Sequence, residues 1–439
     1  MDNTEIKDLL LSLPNKSYKR HLSDVPVTLT SEIASALGTS QRQLSRVLEA
    51  VIEAIAAKLF VQSVTLSDPN SDTAVKEWLT DWELLERQLW KAAVRDGTTY
   101  ALVGYEQTPV IHQLDTYDGR TGAVIVYADV NKRRALYGLN TWHVGKTSYL
   151  DLYYPERIEK YVIVDGIWEK RKDSKDEQWP IDWTDNQGQP LGIALVKLSI
   201  GESDLAGGAV QTQTDINNAL LDQIAVSRTM GFPQRYLKGS NSSQYLTNSY
   251  GQPFLNSVGI PISRTIKLTP GSIMPVQQDE ELGQLSQASI DTTLIDKLLH
   301  LLSLQTTVPT FYFTGDFPSG VALIQAETRL NGKAEEHQGY LTTGLLDLIR
   351  LMLRLSNTFG STQFDTETQI DIVWYPPQIE DETVRRERQD SVAKNVTLLM
   401  GAGVLSLETA VTMLHPDWDE QQIAAEVNRI SAEKSIIAL

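Results

Sequence analysis

A helical pattern in the last third of the chain places the strongest limit on its fold. Between Val321 and Asn357, over roughly 37 residues, apolar side chains recur at the spacing of an α-helix. At 1.5 Å per residue, this helix would be about 55 Å long. Helices in globular proteins usually have three or four turns, so the pattern argues against an ordinary single-domain enzyme.

The acidic residues are distributed unevenly along the chain. There are 56 Asp and Glu among 439 residues, with a net charge of −17, yet none lies between Gln223 and Gln278. An even spread would put about seven acids in that window. The window holds five cations, namely Arg228, Arg235, Lys238, Arg264 and Lys267. Two interpretations remain open: a surface for a partner that the rest of the chain avoids, or a subunit interface, where unpaired carboxylates are costly to desolvate.

Composition excludes several functional classes. The chain has no cysteine, so disulfides, thiolate nucleophiles and cysteine-based zinc sites are excluded. The net negative charge argues against a general nucleic-acid binder. The acidic N-terminus does not resemble a signal peptide, and no apolar run approaches the roughly 20 residues that span a bilayer, so we expect no membrane association.

The first half of the chain is predicted to contain helices followed by antiparallel sheet. Apolar spacing predicts one helix over Leu44–Phe60 and a second over Val75–Val94, ended by Asp96-Gly97. Residues Lys170–Gln189 are polar and are predicted to form an exposed loop. Short β-branched and aromatic runs predict strands at Thr98–Tyr105, Val110–Leu114, Thr121–Ala128, Arg134–Leu139, Ser148–Tyr154, Ile158–Val164 and Pro190–Ser199.

The second half is predicted to be mainly helical. Helical spacing covers Ala209–Met230 and resumes at about Glu280 as far as Thr306. Prolines divide Gly231–Gln278 into short runs, which predicts a small β-rich module between these helices. The other predicted elements are an irregular segment at Thr307–Gly320, a strand at Thr368–Tyr375 and helices over Glu380–Leu439 with a hinge at Gly401–Gly403.

No motif for catalysis, nucleotide binding or metal binding stands out. The Gly-rich segments at 201–208 and 314–320 lack the Lys-Ser/Thr of a phosphate-binding loop. The six histidines are scattered, and those in helical patterns, His300 and His337, are expected to be packed or surface residues. Acid pairs such as Glu335-Glu336 lie on polar faces and are expected to be solvated. We therefore expect no enzyme, no cofactor and no metal.

The order of these elements, together with four short motifs, resembles the portal proteins of tailed double-stranded-DNA bacteriophages, the head–tail connectors of siphophages and myophages. The carrying motifs are Lys91-Ala-Ala-Val-Arg-Asp-Gly-Thr-Thr-Tyr100, Asp215-Ile-Asn-Asn-Ala-Leu-Leu-Asp222, Thr307-Val-Pro309 followed by Pro318-Ser-Gly-Val-Ala-Leu323, and Gly403-Val-Leu-Ser-Leu-Glu-Thr409. Each motif alone is weak, but all four occur in the family's order between residues 91 and 409.

The resemblance implies an α+β portal fold. It assigns residues 1–206 to a wing of helices and antiparallel sheet, 207–230 to a stem helix, 231–279 to a small β-rich clip and 280–306 to a second stem helix. Residues 307–320 would form the tunnel loop, 321–377 the long wing helix with a strand, and 378–439 a helical crown. These boundaries are expectations from the family.

The resemblance also implies the function and partners. Portal subunits form a ring, usually a dodecamer, at the unique capsid vertex of the virion, and assemble in the host cytoplasm. The ring is the channel for genome packaging and ejection. Its expected partners are double-stranded DNA, the large terminase, a head–tail adaptor or neck protein, the major capsid protein and a scaffolding protein.

Two sets of site residues follow from the resemblance. The tunnel loop would present Phe311, Tyr312, Phe313, Thr314, Gly315, Asp316, Phe317, Pro318, Ser319 and Gly320 to DNA, and since it has no basic residue it suggests a sliding, steric collar. The clip would present Arg235, Lys238, Arg264 and Lys267, repeated in each subunit as a basic collar for terminase or adaptor docking, with DNA contact as a second role.

Two alternative functions remain. A soluble acidic hydrolase using paired carboxylates would be a monomer or dimer with a cleft, and it would leave the acid-free window and the long helix unexplained. Another ring-forming tail structural protein would also give annular particles. Particle shape and subunit number distinguish all three.

Overall fold

A computed structural model describes most of the chain as a mixture of helices and antiparallel sheet, which confirms the predicted α+β class. It forms two compact units, one of Met1–Phe317 with Arg329–Pro377 and one of Pro318–Thr328 with Gln378–Leu439. The residues described are 2–14, 17–18, 27–28, 41–42, 46–80, 82–128, 134–174, 178–230, 235–239, 250, 252–261, 280–284, 293–318, 320–378, 394, 396, 398, 405–414 and 423–430.

The helices vary in length from one turn to eleven. Among the described residues they are α1 (Asn3–Ser12), α2 (Val47–Ala56), α3 (Pro69–Trp78), α4 (Trp82–Asp96), α5 (Ala209–Met230), α6 (Thr293–Thr306), α7 (Phe311–Thr314), α8 (Gly320–Phe359) and α9 (Leu407–Leu414). Residues 423–430 are helical as well.

Among the described residues, each strand-to-strand pairing is antiparallel. They are β1 (Val27–Thr28), β2 (Gln41–Arg42), β3 (Val61–Leu66), β4 (Thr98–Tyr105), β5 (Pro109–Leu114), β6 (Gly122–Tyr127), β7 (Ala135–Val144), β8 (Thr147–Tyr153), β9 (Arg157–Val164), β10 (Ile167–Lys170), β11 (Ile181–Asp182), β12 (Leu195–Ser199), β13 (Arg235–Gly239), β14 (Glu280–Gln284) and β15 (Ile370–Trp374). The largest sheet has the order β10-β9-β8-β7-β6 with β11 also on β9; the others are β12-β4-β5, β15-β3, β13-β14 and β1-β2.

The first helix closes one face of the largest sheet. Asp2 accepts hydrogen bonds from the backbone N–H groups of Thr4 and Glu5, and Glu5 caps the Asp2 N–H in return, which is a capping box. Ile6 is fully buried. It belongs to a cluster with Leu139, Leu150, Leu152, Tyr161 and Trp168.

The long helix α8 confirms the strongest prediction from the sequence. It has 40 residues, against roughly 37 predicted from the apolar spacing. Its buried stripe contributes Leu341, Leu345 and Leu348 to the main core, together with residues of α2, α4 and β4. At Gly344 the helix approaches β12 so closely that an added Cβ would lie 2.7 Å from the Lys197 carbonyl oxygen.

Two predictions for the first half of the chain need correction. The single helix expected over Val75–Val94 is two helices, because Thr80 donates its hydroxyl to the carbonyls of Lys76 and Glu77 and so satisfies the end of α3. The loop expected at Lys170–Gln189 contains β11, which pairs with β9. The strand β3 was not predicted, and its pairing with β15 depends on residues about 300 positions away.

The second stem helix does not begin at Glu280. Residues Glu280–Gln284 form β14, which pairs along its length with β13, and α6 begins at Thr293. Leu282 and Leu285 continue the apolar spacing of α6 towards the N-terminus, so the pattern alone suggested one helix. Strand pairing across a separation of about 45 residues prevailed over this local pattern.

Asp151 is a buried carboxylate on the largest sheet. Its side chain is 9% exposed and pairs with Arg171 at 2.9 Å. Burial is the largest influence and raises the pKa of Asp151 from 3.8 to about 6, although the charges of Arg171 and Lys160 oppose this. The ionised form is therefore less favourable in the folded protein than in the unfolded chain.

The pKa of Asp151 predicts a specific pH dependence of stability. A folded-state pKa above the unfolded value contributes stability that is complete below pH 3.8 and is lost as pH rises through about 6. The shift of about two units corresponds to about 3 kcal/mol. We therefore expect urea unfolding to show that the free energy of unfolding of the wild type falls by up to this amount, relative to that of Asp151→Asn, between pH 4 and pH 7. Parallel profiles would contradict the prediction.

Candidate channel and assembly surfaces

The segment after α6 is a compact turn and not the irregular loop expected from the sequence. Thr307, with φ of +64°, directs the chain out of α6. Val308 is fully buried, and Phe311 begins the one-turn helix α7. Gly315, with φ of +79°, ends α7 and donates its N–H to the Phe311 carbonyl.

An aromatic cluster determines which part of this segment reaches solvent. Phe311 is buried and stacks on Tyr312 at 4.8 Å between ring centroids, with Phe317 at 5.2 Å. Tyr312 and Phe313 are half-buried against the core. The exposed residues are Thr314, Gly315, Asp316 and Phe317. We call these four residues the tip; they are the exposed ones among the predicted tunnel-loop residues 311–318, whose burial the structure describes. Pro318 is half-buried, Gly320 is the first residue of α8, and Ser319 lies outside the described residues.

The tip contains one charged residue. Asp316 is exposed, and its N–H approaches the Thr314 hydroxyl at 3.4 Å. Phe317 is 63% exposed although its ring packs against Phe311. The tip therefore offers an apolar edge with one negative charge, and no cation that could hold a phosphate.

Helices α5 and α6 pack against each other where both join the main core. Ala209 and Ile216 of α5 and Leu302 of α6 are buried there. The Thr212 hydroxyl donates to the side chain of Gln305 at 3.0 Å. One face of α6 is thus covered by this subunit's own core.

A second apolar face of α6 is exposed. Leu294, Leu301 and Leu304 are 47%, 44% and 58% exposed. At 3.6 residues per turn they lie within a sector of about 80°, which adjoins the sector that contains Leu298 and Leu302. The apolar surface of α6 is therefore wider than the part that the subunit's own core covers, and the uncovered part calls for a second partner. We call these three residues the leucine stripe. Seven of the fourteen residues of α6 are Leu or Ile. This composition was not used in the predictions from the sequence, although it indicates more apolar surface than one contact would cover.

The acid-free window contains an exposed apolar loop. Residues 252–260 are all exposed, and none of them is charged. The side chain of Asn256 accepts hydrogen bonds from the N–H groups of Val258 and Ile260, which holds the loop in a tight turn. The large exposed side chains are Tyr250, Phe254, Leu255, Val258 and Ile260, at 52% to 88%.

Two of the predicted basic-collar residues lie in the ribbon β13-β14. In its register Lys238 stands opposite Glu281, and Arg235 stands opposite Gln284. The ribbon therefore carries two cations, Arg235 and Lys238, and two acids, Glu280 and Glu281. Arg264 and Lys267 lie outside the described residues. The acid-free window is thus a feature of the sequence alone, because strand pairing places Glu281, which follows the window, opposite Lys238.

The described residues show neither a metal cluster nor a membrane helix. No group of three or more His, Asp or Glu in this part of the chain could hold a metal ion. No helix among the same residues has the length and apolar character needed to cross a bilayer.

One protein-family model matches part of the chain. Residues 236–437, just under half of the chain, match the family model described as Phage portal protein, SPP1 Gp6-like. This match confirms the resemblance to bacteriophage portal proteins, which are structural proteins of the virion. No curated protein sequence matches the chain.

Three solved structures of gene transfer agent (GTA) particles are distantly similar. The neck of an empty GTA particle with C6 symmetry has 14% identity and a TM-score of 0.45, covering 88% of this chain and 95% of that one. The virion of a native GTA particle has 14% identity and a TM-score of 0.42, covering 88% and 94%. The neck of a native particle with C12 symmetry has 12% identity and a TM-score of 0.42, covering 89% and 94%.

Proposed function

We propose that this chain is a portal subunit that forms a ring at one vertex of a bacteriophage capsid. The observation that carries the proposal is the leucine stripe on α6, within the residues that match the portal family. A second copy of the chain is its natural occupant, because a head-to-tail contact repeated between neighbours closes into a ring. The apolar loop at 252–260 offers a further surface for contact between copies.

In this ring the tip would face the channel. Its one charge is negative, as is the net charge of −17 of the whole subunit, and like charge repels DNA and lowers sticking. Without cations at the tip there is no counterion release to hold DNA tightly. The ring would act as a passive conduit for packaging and ejection, and ATP hydrolysis would belong to a docked terminase.

Electron microscopy of the purified protein tests this function. We expect annular particles, with a mass by light scattering near that of a dodecamer. A monomer or dimer at assembly concentrations, with no annular particles in negative stain, would falsify the portal proposal and favour the hydrolase. Rings with the shape and subunit number of a tail tube would favour a tail structural protein.

The clip is proposed as the docking surface for terminase and then for an adaptor or neck protein. Reversing Arg264 and Lys267 to Glu should leave rings intact but weaken pull-down of the large terminase by about tenfold or more, as expected for loss of charge complementarity. A matched control reverses Lys146 and Lys172, two exposed lysines of the wing. Loss of the rings in the clip variant would favour a subunit interface instead, and unchanged docking would remove the role of these cations.

A further inference from the structure

A buried ionic cluster joins three segments of the main unit. Asp204, in the segment between β12 and α5, has a side chain that is 4% exposed. One of its oxygens lies 2.6 Å from Lys333 Nζ, and the other lies 2.9 Å from His337 Nε2. Lys333 and His337 are one turn apart on α8, so both reach the same carboxylate.

Lys333 also holds the end of α6. Its Nζ donates to the backbone carbonyl of Thr306 at 3.1 Å, while Thr306 is fully buried. The same ammonium therefore connects α8, the Asp204 segment and the last residue of α6. The backbone N–H of Asp204 is in turn bound to the Val94 carbonyl at 3.1 Å, so the carboxylate is fixed to α4.

The residue after this contact has an unfavourable backbone conformation. Thr307 is β-branched, yet its φ is +64°. Such a conformation costs energy and persists only when surrounding contacts hold it. The contacts that hold Thr307 are made at the preceding carbonyl. The Thr306 carbonyl oxygen accepts one hydrogen bond from Lys333 Nζ and another, at 2.6 Å, from the Thr307 hydroxyl.

We propose that Asp204, Lys333 and His337 form a lock that holds the Thr306–Thr307 corner and thereby sets the position of the tip. Eight residues separate Thr306 from Gly315, and the intervening Val308 and Phe311 are packed in the core. The direction in which the chain leaves α6 therefore determines where the tip stands. The importance of the tip for a channel rests on the proposed function; the lock itself does not.

Amide hydrogen exchange of charge-removing variants tests the lock. The informative amides are those of Phe313 and Thr314, which donate to the Thr310 carbonyl, and of Gly315, which donates to the Phe311 carbonyl. Lys333→Met has a side chain of similar length but removes the ammonium that donates to the Thr306 carbonyl. We expect exchange of these three amides to be at least about tenfold faster, since opening of a local unit governs its exchange.

A double variant separates the lock from general stability. Lys333→Met alone leaves a buried carboxylate without its cation, which weakens the whole fold, whereas Asp204→Asn with Lys333→Met removes both charges. The lock predicts fast exchange at the tip in the double variant as well, with wild-type exchange in α4. Tip exchange that returns to the wild-type rate in the double variant would mean that Lys333 acts only through overall stability, and the proposal would be wrong.

An ion pair between an exposed lysine and an aspartate supplies the control. Lys76 lies 2.7 Å from Asp72 on α3, and Lys76→Met should leave exchange at the tip unchanged. The readout is local to the subunit and does not require a ring. Absence of annular particles would therefore remove the channel role but leave the lock testable, and an absent lock would leave the ring images unaffected.

Discussion

Replacing Leu301 and Leu304 by Glu is expected to abolish rings and leave folded subunits. Both side chains are about half exposed in the single subunit, so the change costs its fold little. In a ring each carboxylate would be buried against a neighbour without a cation, at a cost of several kcal/mol per interface. Light scattering and negative stain should show monomers, and circular dichroism should match the wild type.

The matched control places the same charges on exposed leucines elsewhere. Leu84 on α4 is 72% exposed and Leu136 on β7 is 41% exposed. Leu84→Glu with Leu136→Glu adds the same two negative charges but leaves the leucine stripe intact, so rings should persist. Rings in the α6 variant would show that the stripe is not an assembly surface. Loss of rings in both variants would point to general charge repulsion.

Replacing Gly97 by Ala is expected to destabilise the larger compact unit strongly. Gly97 has φ of +75°, and an added Cβ would lie 2.6 Å from the Ser203 backbone nitrogen and 2.8 Å from the Glu202 carbonyl carbon. The left-handed backbone costs about 1–2 kcal/mol for a residue with a Cβ. Forced displacement of the adjacent backbone adds about 1–3 kcal/mol. Urea unfolding at one protein concentration should show a loss of about 2–5 kcal/mol.

Gly145 separates the two contributions to this loss. It has φ of +62° in the turn between β7 and β8, and nothing lies within 4 Å of an added Cβ. Gly145→Ala should therefore show only the backbone cost of about 1–2 kcal/mol. If both variants lose the same stability, the close approach of the Ser203 segment contributes nothing, and the explanation given for Gly97 is wrong.

Local patterns predicted the elements whose contacts are local. The helical spacing of α8 and the bounds of α5 were readable because apolar side chains recur at the spacing of a helix along both segments. The Asp96-Gly97 turn was readable as well, since Gly is the residue that adopts positive φ without cost. Strand β14 was misread as helix because its Leu282, together with Leu285 just after the strand, fits the spacing of the helix that follows.

The candidate site was only partly accessible from the sequence. The segment after α6 was located correctly, but the pattern of aromatic residues does not say which ring is buried. Phe311 is buried at the start of the one-turn helix α7, whereas Phe317 follows the end of that helix and reaches solvent. The lock left no signal, since Asp204 and Lys333 are separated by more than a hundred residues.

The sequence by itself determined the α+β class, the long helix, the absence of cysteine chemistry and the resemblance to portal proteins. These depend on composition, on short-range periodicity and on motifs within a few residues. Only the tertiary structure decided which face of α6 is left open, which acids stand beside the basic window and which carboxylate holds Lys333. Each of these depends on pairing between distant segments, and burial there is decided by packing of the whole unit and not by any one segment's own preference.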